Sequence, residues 1–336
     1  MDTGTIATGL IGAGSRGTSI ATRFANKDAL EITAVAEVDT DRLTAAGERW
    51  NLPETRRFTD YRDLLDGPVL DAVIIATPHT LHFEHLQAAM DHGLAIFCEK
   101  PLTTDRDHAV SIARRAQSTR QPLMVGYSLH CDPVYVAGRR RWVDAGITPR
   151  SITASVAQGW IGGEDTWRQD PSLSGGGMLY DTGSHLLDAV LWMTGLEPVS
   201  VSAQMTFDRP EVDVQAAITV SFEDGQLATM SVYGDCTHPR HNLVQVTDDE
   251  GMLTIREGGI ERGVTQRTPS GSREVPTLPP DVPSQAEAFI AAIRDGVRPP
   301  ATAVDALRTT IVTEAAYEAA STETVSAVDM PAIGRT

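Results

Sequence analysis

The fold of this chain is decided by residues 5–17, which read TIATGLIGAGSRG. The first seven residues are a β-rich run, and the last six follow the pattern G-x-G-x-x-G. Beyond them, Ile20 and Phe24 are spaced for one face of a helix. The three glycines of such a pattern allow a tight turn, close approach of a pyrophosphate, and close packing of helix on strand. The stretch therefore predicts a strand–turn–helix unit that binds a dinucleotide phosphate at the helix N-terminus.

A downstream acid strengthens this prediction. The strand predicted over residues 30–36 ends in Glu37, about 20 residues after the last glycine, where an acid binds the hydroxyls of an adenosine ribose. Glu37 would repel a 2′-phosphate, so we expect NAD rather than NADP. Arg16 weakens this expected preference for NAD, because its guanidinium can contact a phosphate or stack on adenine. The expected cofactor-binding residues of the loop are Gly12, Gly14, Ser15, Arg16 and Gly17.

Strands and helices alternate through residues 1–126. Further strands are predicted at residues 71–76, 94–98 and 123–126, with helical segments between them. The first of these reads DAVIIA, and a continuous apolar run is typical of a parallel strand that is buried on both faces. The pattern predicts an α/β domain of the Rossmann type, with a doubly wound parallel sheet.

Polar residues follow two of these strands, at the sheet edge where open α/β proteins bind ligands. We expect cofactor contacts from six of them: Thr77, Pro78, His79, His82, Glu99 and Lys100. His79 and His82 fit solvent-exposed positions equally well. Lys100 is one of two lysines among 28 basic residues, and lysine, unlike arginine, can lose its proton. A proton-handling lysine is therefore expected, with a surface salt bridge as the alternative.

Residues 175–188, GGGMLYDTGSHLLD, form a second candidate site. After the glycines, apolar residues recur at helical spacing, and Asp181 and His185 are four positions apart. In a helix these two side chains share one face. An acid beside an imidazole is a typical proton-transfer pair. The alternative is a buried, hydrogen-bonded histidine with a helix-capping aspartate.

Composition argues against several classes of function. The formal net charge of −17 disfavours nucleic acid as a partner, and no apolar run approaches the roughly 18 residues of a membrane-spanning helix. Three distant cysteines, Cys98, Cys131 and Cys236, predict neither a metal site nor disulfides. With no signal-peptide pattern at the N-terminus, these features favour the cytoplasm.

After Tyr127 the pattern becomes α+β. A helix is predicted at residues 134–145, and residues 256–283 are predicted to form loops and a turn. The predicted strands are residues 152–158, 199–207, 214–222 and 227–233, with a hairpin turn at Glu223-Asp224-Gly225. Residues 127–283 are thus expected to form a substrate-binding domain with a mostly antiparallel sheet. Its free face suits contacts in a homodimer or homotetramer. Helices are predicted after Ser284 and at residues 304–321.

The ordered motifs resemble those of the Gfo/Idh/MocA family of oxidoreductases, from residue 5 to about residue 328. The matching segments are GAGSRG, ATPHTLH, CEKPL, GGGMLYDTGSHLLD and AFIAAIRDG. The resemblance implies hydride transfer between NAD and a carbinol or carbonyl of a sugar, cyclitol or sugar derivative. It implies that Lys100 bonds the reacting oxygen and stabilises the alkoxide or relays the proton, and that Glu37 binds ribose. It also implies that His185 is the general base, oriented or stabilised by Asp181, while the choice between Lys100 and His185 as primary proton acceptor stays open. It also implies that residues 284–336 pack back on the first domain.

A substrate-binding wall is expected beside the catalytic residues Lys100, Asp181 and His185. Its candidates are Tyr127, Trp160, Trp167 and Arg168, because aromatic rings cover the apolar face of a sugar and arginine binds hydroxyls or a carboxylate. The tryptophans fit core packing equally well. Two other functions stay open: an NAD-dependent glycosidase or lyase that retains its NAD, and a non-catalytic nucleotide-binding regulator. The family's NAD-dependent glycosidases use a different histidine motif, which disfavours the first of these functions. A regulator does not need Lys100, Asp181 and His185, so the presence of all three disfavours the second.

Overall fold

The computed structural model describes residues 4–161, 167–208, 211–237, 239–258 and 263–333. These residues contain two β-sheets, one of six strands near the N-terminus and one of nine strands in the remainder. Helices and strands are both abundant, so the expected combination of an α/β and an α+β part is confirmed. No helix of the described residues is both long and apolar enough to cross a membrane.

The N-terminal sheet is parallel, with strand order β3-β2-β1-β4-β5-β6. Its strands are β1 (Ile6–Ile11), β2 (Leu30–Ala36), β3 (Arg57–Phe58), β4 (Ala72–Ile75), β5 (Ala95–Cys98) and β6 (Leu123–Val125). Its helices are α1 (Ser15–Ala25), α2 (Thr40–Arg49), α3 (Tyr61–Asp66), α4 (His82–Asp91) and α5 (Arg106–Thr119). The predicted doubly wound sheet is confirmed, and strand order reverses between β1 and β4, which opens a crevice at their carboxyl ends.

Burial on both faces explains the sequence of the central strands. Every residue of β4 and β5 is buried, and all eight are apolar. Aspartates begin several of the connecting helices: the Asp39 carboxylate accepts hydrogen bonds from the first backbone N–H groups of α2, and Asp105 does the same for α5. The strand ends and helix starts are therefore fixed by local chemistry at the edge where a ligand would bind.

The second sheet has strand order β14-β13-β12-β11-β7-β10-β9-β8-β15. Neighbouring strands are antiparallel, except that β7 pairs with β10 in parallel. Its strands are β7 (Ser151–Ala157), β8 (Pro198–Asp208), β9 (Val212–Phe222), β10 (Leu227–Tyr233), β11 (His241–Asp248), β12 (Gly251–Gly258), β13 (Gly263–Arg267), β14 (Arg273–Glu274) and β15 (Ser326–Ala327). The predicted hairpin turn joins β9 to β10, and Gly225 has the positive φ of 86° that the turn needs.

Among the described residues, five further helices follow β6 in the chain: α6 (Pro133–Arg139), α7 (Pro171–Ser174), α8 (Ser184–Thr194), α9 (Gln285–Asp295) and α10 (Ala303–Thr322). Helix α8 is buried along its whole length. The predicted capping box at Ser284 begins α9, and Gly296 ends it. Phe289 of α9 contacts Phe24 and Phe97, whose ring centroids lie 5.9 and 6.0 Å away, so this C-terminal helix packs on the N-terminal sheet.

Two of the predicted elements are wrong. Residues 256–283 contain the end of β12 and all of β13 and β14, rather than loops alone. These edge strands bury few side chains, so they lack the apolar alternation by which a strand is recognised. The helix expected at residues 134–145 ends at Arg139, and a wider π-helical turn follows at Arg140–Asp144.

Candidate active site

The glycine loop between β1 and α1 leaves room for a phosphate. Gly12 has a φ of 89°, and a Cβ atom there would lie 2.8 Å from the Ala76 carbonyl oxygen. At Gly17 a Cβ atom would lie 2.0 Å from the Gly12 carbonyl oxygen, so this glycine is required for helix packing. At Gly14 the nearest atom would be 4.0 Å away. The backbone is therefore closely packed at Gly12 and Gly17, and it leaves space at Gly14, where a pyrophosphate would approach.

The N-terminus of α1 is free of competing groups. No side chain caps this helix end, and its first turn, which begins at the exposed Ser15, contains no acidic residue. Backbone N–H groups and the helix dipole favour an anion at such a position. The loop thus fits the phosphates of a dinucleotide.

Glu37 lies at the carboxyl end of β2 beside this loop. Its carboxylate accepts hydrogen bonds from the Ala13 N–H at 2.7 Å and from the Asp39 N–H at 3.1 Å. The side chain lines a groove of about 510 Å³ together with Gly12, Gly14, Thr77 and Pro78. This groove has the position and the acid that an adenosine ribose requires.

A smaller cavity of about 210 Å³ adjoins the groove, and Thr77 and Trp167 line both spaces. It contains the carboxyl ends of β4 and β5 and the segment before α8. The predicted site residues that line it are Arg16, Thr77, His79, Glu99, Lys100, Trp167, Arg168, Asp181 and His185. The structure therefore brings both candidate sites of the sequence into one cavity.

Lys100 and Asp181 form a buried ion pair in this cavity. The Lys100 Nζ atom donates to Asp181 Oδ1 at 2.7 Å and to the Asp181 carbonyl oxygen at 2.5 Å. Trp160 donates its indole N–H to Asp181 Oδ2 at 2.9 Å, and the Arg168 Nε lies 3.2 Å from the same oxygen. Burial would raise the pKa of Asp181, but Lys100, His79 and Arg168 together lower it below its usual range. Asp181 is thus held ionised and fixes the ammonium group.

The imidazole of His185 lies neutral in this cavity. Burial, followed by the positive charges of Lys100, Arg240 and Arg16, lowers the pKa of His185 well below its ordinary value. Tyr127 packs edge-on against the imidazole, with ring centroids 5.9 Å apart, and so holds its plane. Among the described residues the ring nitrogens of His185 have no hydrogen-bond partner. They are available to accept a proton from a ligand.

Two histidines shape the wall around Thr77. His79 donates its Nδ1–H to the Ser174 carbonyl oxygen at 3.0 Å, which leaves its Nε2 as an acceptor, and its ring contacts Trp167. His82 is fully buried, with ring nitrogens 2.7 Å from the Pro101 carbonyl oxygen and 3.1 Å from that of Thr77. His82 therefore joins the two loops that follow β4 and β5.

The comparisons with known proteins agree with this geometry. The model of an oxidoreductase family, Gfo/Idh/MocA, with an NAD-binding Rossmann fold matches residues 6–127, and the model of the family's C-terminal domain matches residues 140–254. The chain belongs to the Gfo/Idh/MocA family. The resemblance seen in the sequence motifs is confirmed.

Relatives of this Gfo/Idh/MocA protein are named as dehydrogenases. Inositol 2-dehydrogenase 4 of Saccharopolyspora erythraea is 27% identical over 74% of this chain and 76% of its own length. An NADP-dependent D-xylose 1-dehydrogenase of Haloferax volcanii is 26% identical over 89% of this chain and 92% of its own length. The crystal structure of aldose–aldose oxidoreductase from Caulobacter crescentus, solved with glycerol, superposes on this chain with a TM-score of 0.83. The two sequences are 24% identical, and the superposition covers 96% of this chain and 100% of the oxidoreductase. At that identity the last comparison shows the fold.

Three residues expected to touch ligand lie behind the cavity wall of this Gfo/Idh/MocA chain. Trp160 and Tyr127 are buried and support Asp181 and His185, respectively. His82 supports the two loops and lines neither space. Direct contact with ligand stays a prediction for these residues, but their geometry fits a positioning role.

Several lining residues were not predicted. Gln158, Thr182 and Arg240 line the smaller cavity, and Gln158 Nε2 donates to Thr182 Oγ1 at 2.8 Å. Arg42 and Arg62 line the cofactor groove. Gln158 could have been predicted to line the cavity, because it lies at the end of a predicted strand. Arg240 could not, because it precedes β11, a strand that the sequence pattern did not indicate.

The segment that carries Asp181 is anchored from the second sheet. Asp213 in β9 accepts hydrogen bonds from the Gly177 N–H at 2.7 Å and the Leu179 N–H at 2.8 Å, and Tyr317 of α10 also donates to it. Gly177 lies so close that a Cβ atom there would be 2.0 Å from the Asp213 carbonyl oxygen. These bonds fix the start of the π-helical turn Leu179–Gly183, which carries Asp181.

We expect Gly177→Ala to lower the free energy of unfolding by about 3 kcal/mol, because the added methyl group meets backbone atoms that are held by the sheet. Chemical denaturation followed by circular dichroism measures this. Gly263→Ala is the matched control, since a Cβ atom at Gly263 meets nothing within 4 Å. Equal stabilities of the two variants would contradict the packing of the glycine run on β9.

Proposed function

We propose that the chain is an NAD-dependent dehydrogenase that oxidises a carbinol of a sugar, cyclitol or sugar derivative, or reduces the matching carbonyl. The observation that carries this proposal is the pairing of Lys100, held by Asp181, with a neutral His185 in one cavity that adjoins the cofactor groove. Relatives named inositol and xylose dehydrogenases support the substrate class.

In this proposal the chain's own residues handle the proton. His185 accepts the hydroxyl proton of the substrate, and the Lys100 ammonium stabilises the negative charge that develops on that oxygen. Asp181 holds the Lys100 side chain in place through two hydrogen bonds. Arg16 and Glu99, whose side chains lie 3.0 Å apart, are proposed to border the cofactor. NAD, when bound, supplies the acceptor for the hydride that leaves the carbinol carbon.

The two other functions make different predictions in the same assay. A glycosidase or lyase that retains NAD would change its substrate without net NADH, and a regulator would bind NAD without turnover. The protein is incubated with NAD and a panel of cyclitols, aldoses and sugar acids while NADH absorbance is followed. This experiment distinguishes the three functions. Sustained NADH formation with any member supports the dehydrogenase.

The preference for NAD is proposed from Glu37, since its carboxylate would repel a 2′-phosphate. Arg42 and Arg62 line the same groove, and one relative is named for NADP, so the charge of Glu37 is expected to decide the preference. Glu37→Gln keeps an oxygen that can accept from Ala13 but removes the charge. We expect it to shift the ratio of NAD to NADP affinity about tenfold or more towards NADP.

Fluorescence titration of both cofactors measures this ratio. Glu31→Gln, which removes the same charge from an exposed position on β2, is the control and should leave the ratio unchanged. A wild-type protein that already prefers NADP would contradict the assignment of Glu37.

The remaining assignments are also proposals. We propose a dinucleotide-binding domain at residues 1–126, to which residues 284–336 return, and a substrate domain at residues 127–283. Three free cysteines support a reducing compartment, the cytoplasm. The sheet face over β8, β9 and β10, with Met205 and Tyr233 on its surface, is proposed as the contact surface of a homodimer or homotetramer.

A further inference from the structure

The catalytic cavity carries more positive than negative charge. Among the residues that the structure describes, four cationic side chains line it, against the two carboxylates of Glu99 and Asp181. The cations are Arg16, Lys100, Arg168 and Arg240. The two lining histidines are neutral because burial, aided by Lys100, lowers their pKa. Positive charges thus exceed negative ones by two among the described lining residues, in a chain whose formal net charge is −17.

Three of the four cations have carboxylate partners. Arg16 pairs with Glu99 at 3.0 Å, while Lys100 and Arg168 share Asp181 at 2.7 and 3.2 Å. Arg240 forms no ion pair with a carboxylate of the described residues; Glu257 and Asp181 act on it at longer range and only partly offset the lowering of its pKa by burial. Its Nε donates only a long hydrogen bond, 3.5 Å, to the Asn242 side-chain oxygen.

Arg240 is held at the cavity by the second sheet. It immediately precedes β11, whose first residue, His241, is in register with Ala157 at the end of β7. The next residue of the chain beyond β7 is Gln158, which also lines the cavity. The Arg240 guanidinium therefore belongs to the wall that the substrate domain provides, whereas Lys100 comes from the end of β5.

We propose that the substrate of this enzyme carries an anionic group, a carboxylate, which binds Arg240. Guanidinium and carboxylate groups form paired, charge-assisted hydrogen bonds, and an excess of positive charge in an acidic protein attracts an anion to this cavity. A volume of about 210 Å³ is below the roughly 300–1,000 Å³ of sites for drug-sized ligands, so the substrate class is a monosaccharide acid such as an aldonate or uronate. This inference rests on the proposed function and narrows it.

Matched substrate pairs test the inference. D-glucose is compared with D-gluconate, D-glucuronate and D-glucose 6-phosphate, and D-galactose with D-galactonate and D-galacturonate, each with NAD. We expect the best acid to exceed its neutral partner in kcat/KM by at least about tenfold, and Arg240→Gln to lower kcat/KM at least about tenfold more for that acid than for the neutral sugar. Arg150→Gln, which removes the same charge from an exposed arginine paired with Asp249, should change neither.

Binding separates the failure of this inference from the failure of the proposed function. Isothermal titration calorimetry of the NAD-loaded protein with the same compounds needs no turnover. Acids that bind the wild type, and bind Arg240→Gln about tenfold more weakly, support the inference even if no NADH forms. Equal binding of acids and neutral sugars, binding of no acid, an equal effect of Arg240→Gln on both, or a preference for the phosphate over every carboxylate would overturn it.

Discussion

Lys100→Met is expected to lower kcat about 10³-fold while the affinity for NAD changes by less than about threefold. The ammonium group is buried and fixed by two hydrogen bonds to Asp181, so it meets a developing negative charge without reorganisation. Removal of one such electrostatic donor typically costs about 10²–10³-fold, and the loss of a full charge belongs at the upper end. Steady-state kinetics and a fluorescence titration with NAD measure the two quantities.

The only other lysine of the chain supplies the control. Lys27 pairs with Glu287 at 2.9 Å on the surface, so Lys27→Met should retain full activity. A Lys100→Met protein that lost NAD affinity and kcat in equal proportion would show that Lys100 binds the cofactor and does not act on the reacting oxygen.

His185→Gln is expected to lower kcat about 10²–10⁴-fold, the usual contribution of a positioned general base. The effect should depend on pH in a defined direction. Burial and the nearby cations lower the pKa of His185 below the ordinary histidine value of about 6.5, so the wild-type imidazole is still neutral at that pH. We therefore expect kcat to fall only when the pH drops below this lowered pKa. In His185→Gln this acidic limb should disappear.

His92→Gln is the control for a histidine near the surface. His92 bonds Asp66 and the Ala88 carbonyl oxygen on α4, and neither cavity nor groove includes it. Its substitution should leave the pH profile unchanged. An acidic limb that persists in His185→Gln would assign the titrating group elsewhere, with His79 as the next candidate because its Nε2 is free to accept.

The sequence could predict what local patterns encode. The glycines at positions 12, 14 and 17, Glu37, and the apolar runs of β4 and β5 each act within one strand–helix unit, so their spacing carries the information. Lys100 and Asp181 are 81 positions apart, yet each follows a recognisable local pattern. Their contact at 2.7 Å follows from the fold that these patterns specify.

Residue roles that depend on long-range contacts could not be predicted from local patterns. Arg240 precedes β11, in which Asn242 and Asp248 lie on the buried face and interrupt the apolar alternation of a strand. Trp160 bonds Asp181 across 21 positions, and nothing local distinguishes this from a wall of the sugar site. Such roles depend on which loops converge, and that is fixed by long-range contacts such as the one between α10 and α5.

The proposed reaction oxidises a carbinol with NAD and releases the reduced cofactor. The most direct measurement is the number of NADH molecules formed per protein molecule with the panel of cyclitols, aldoses and sugar acids. We predict many turnovers with at least one member, and loss of those turnovers in Lys100→Met and His185→Gln. NAD that binds but is never released as NADH, with every member of the panel, would contradict this proposal.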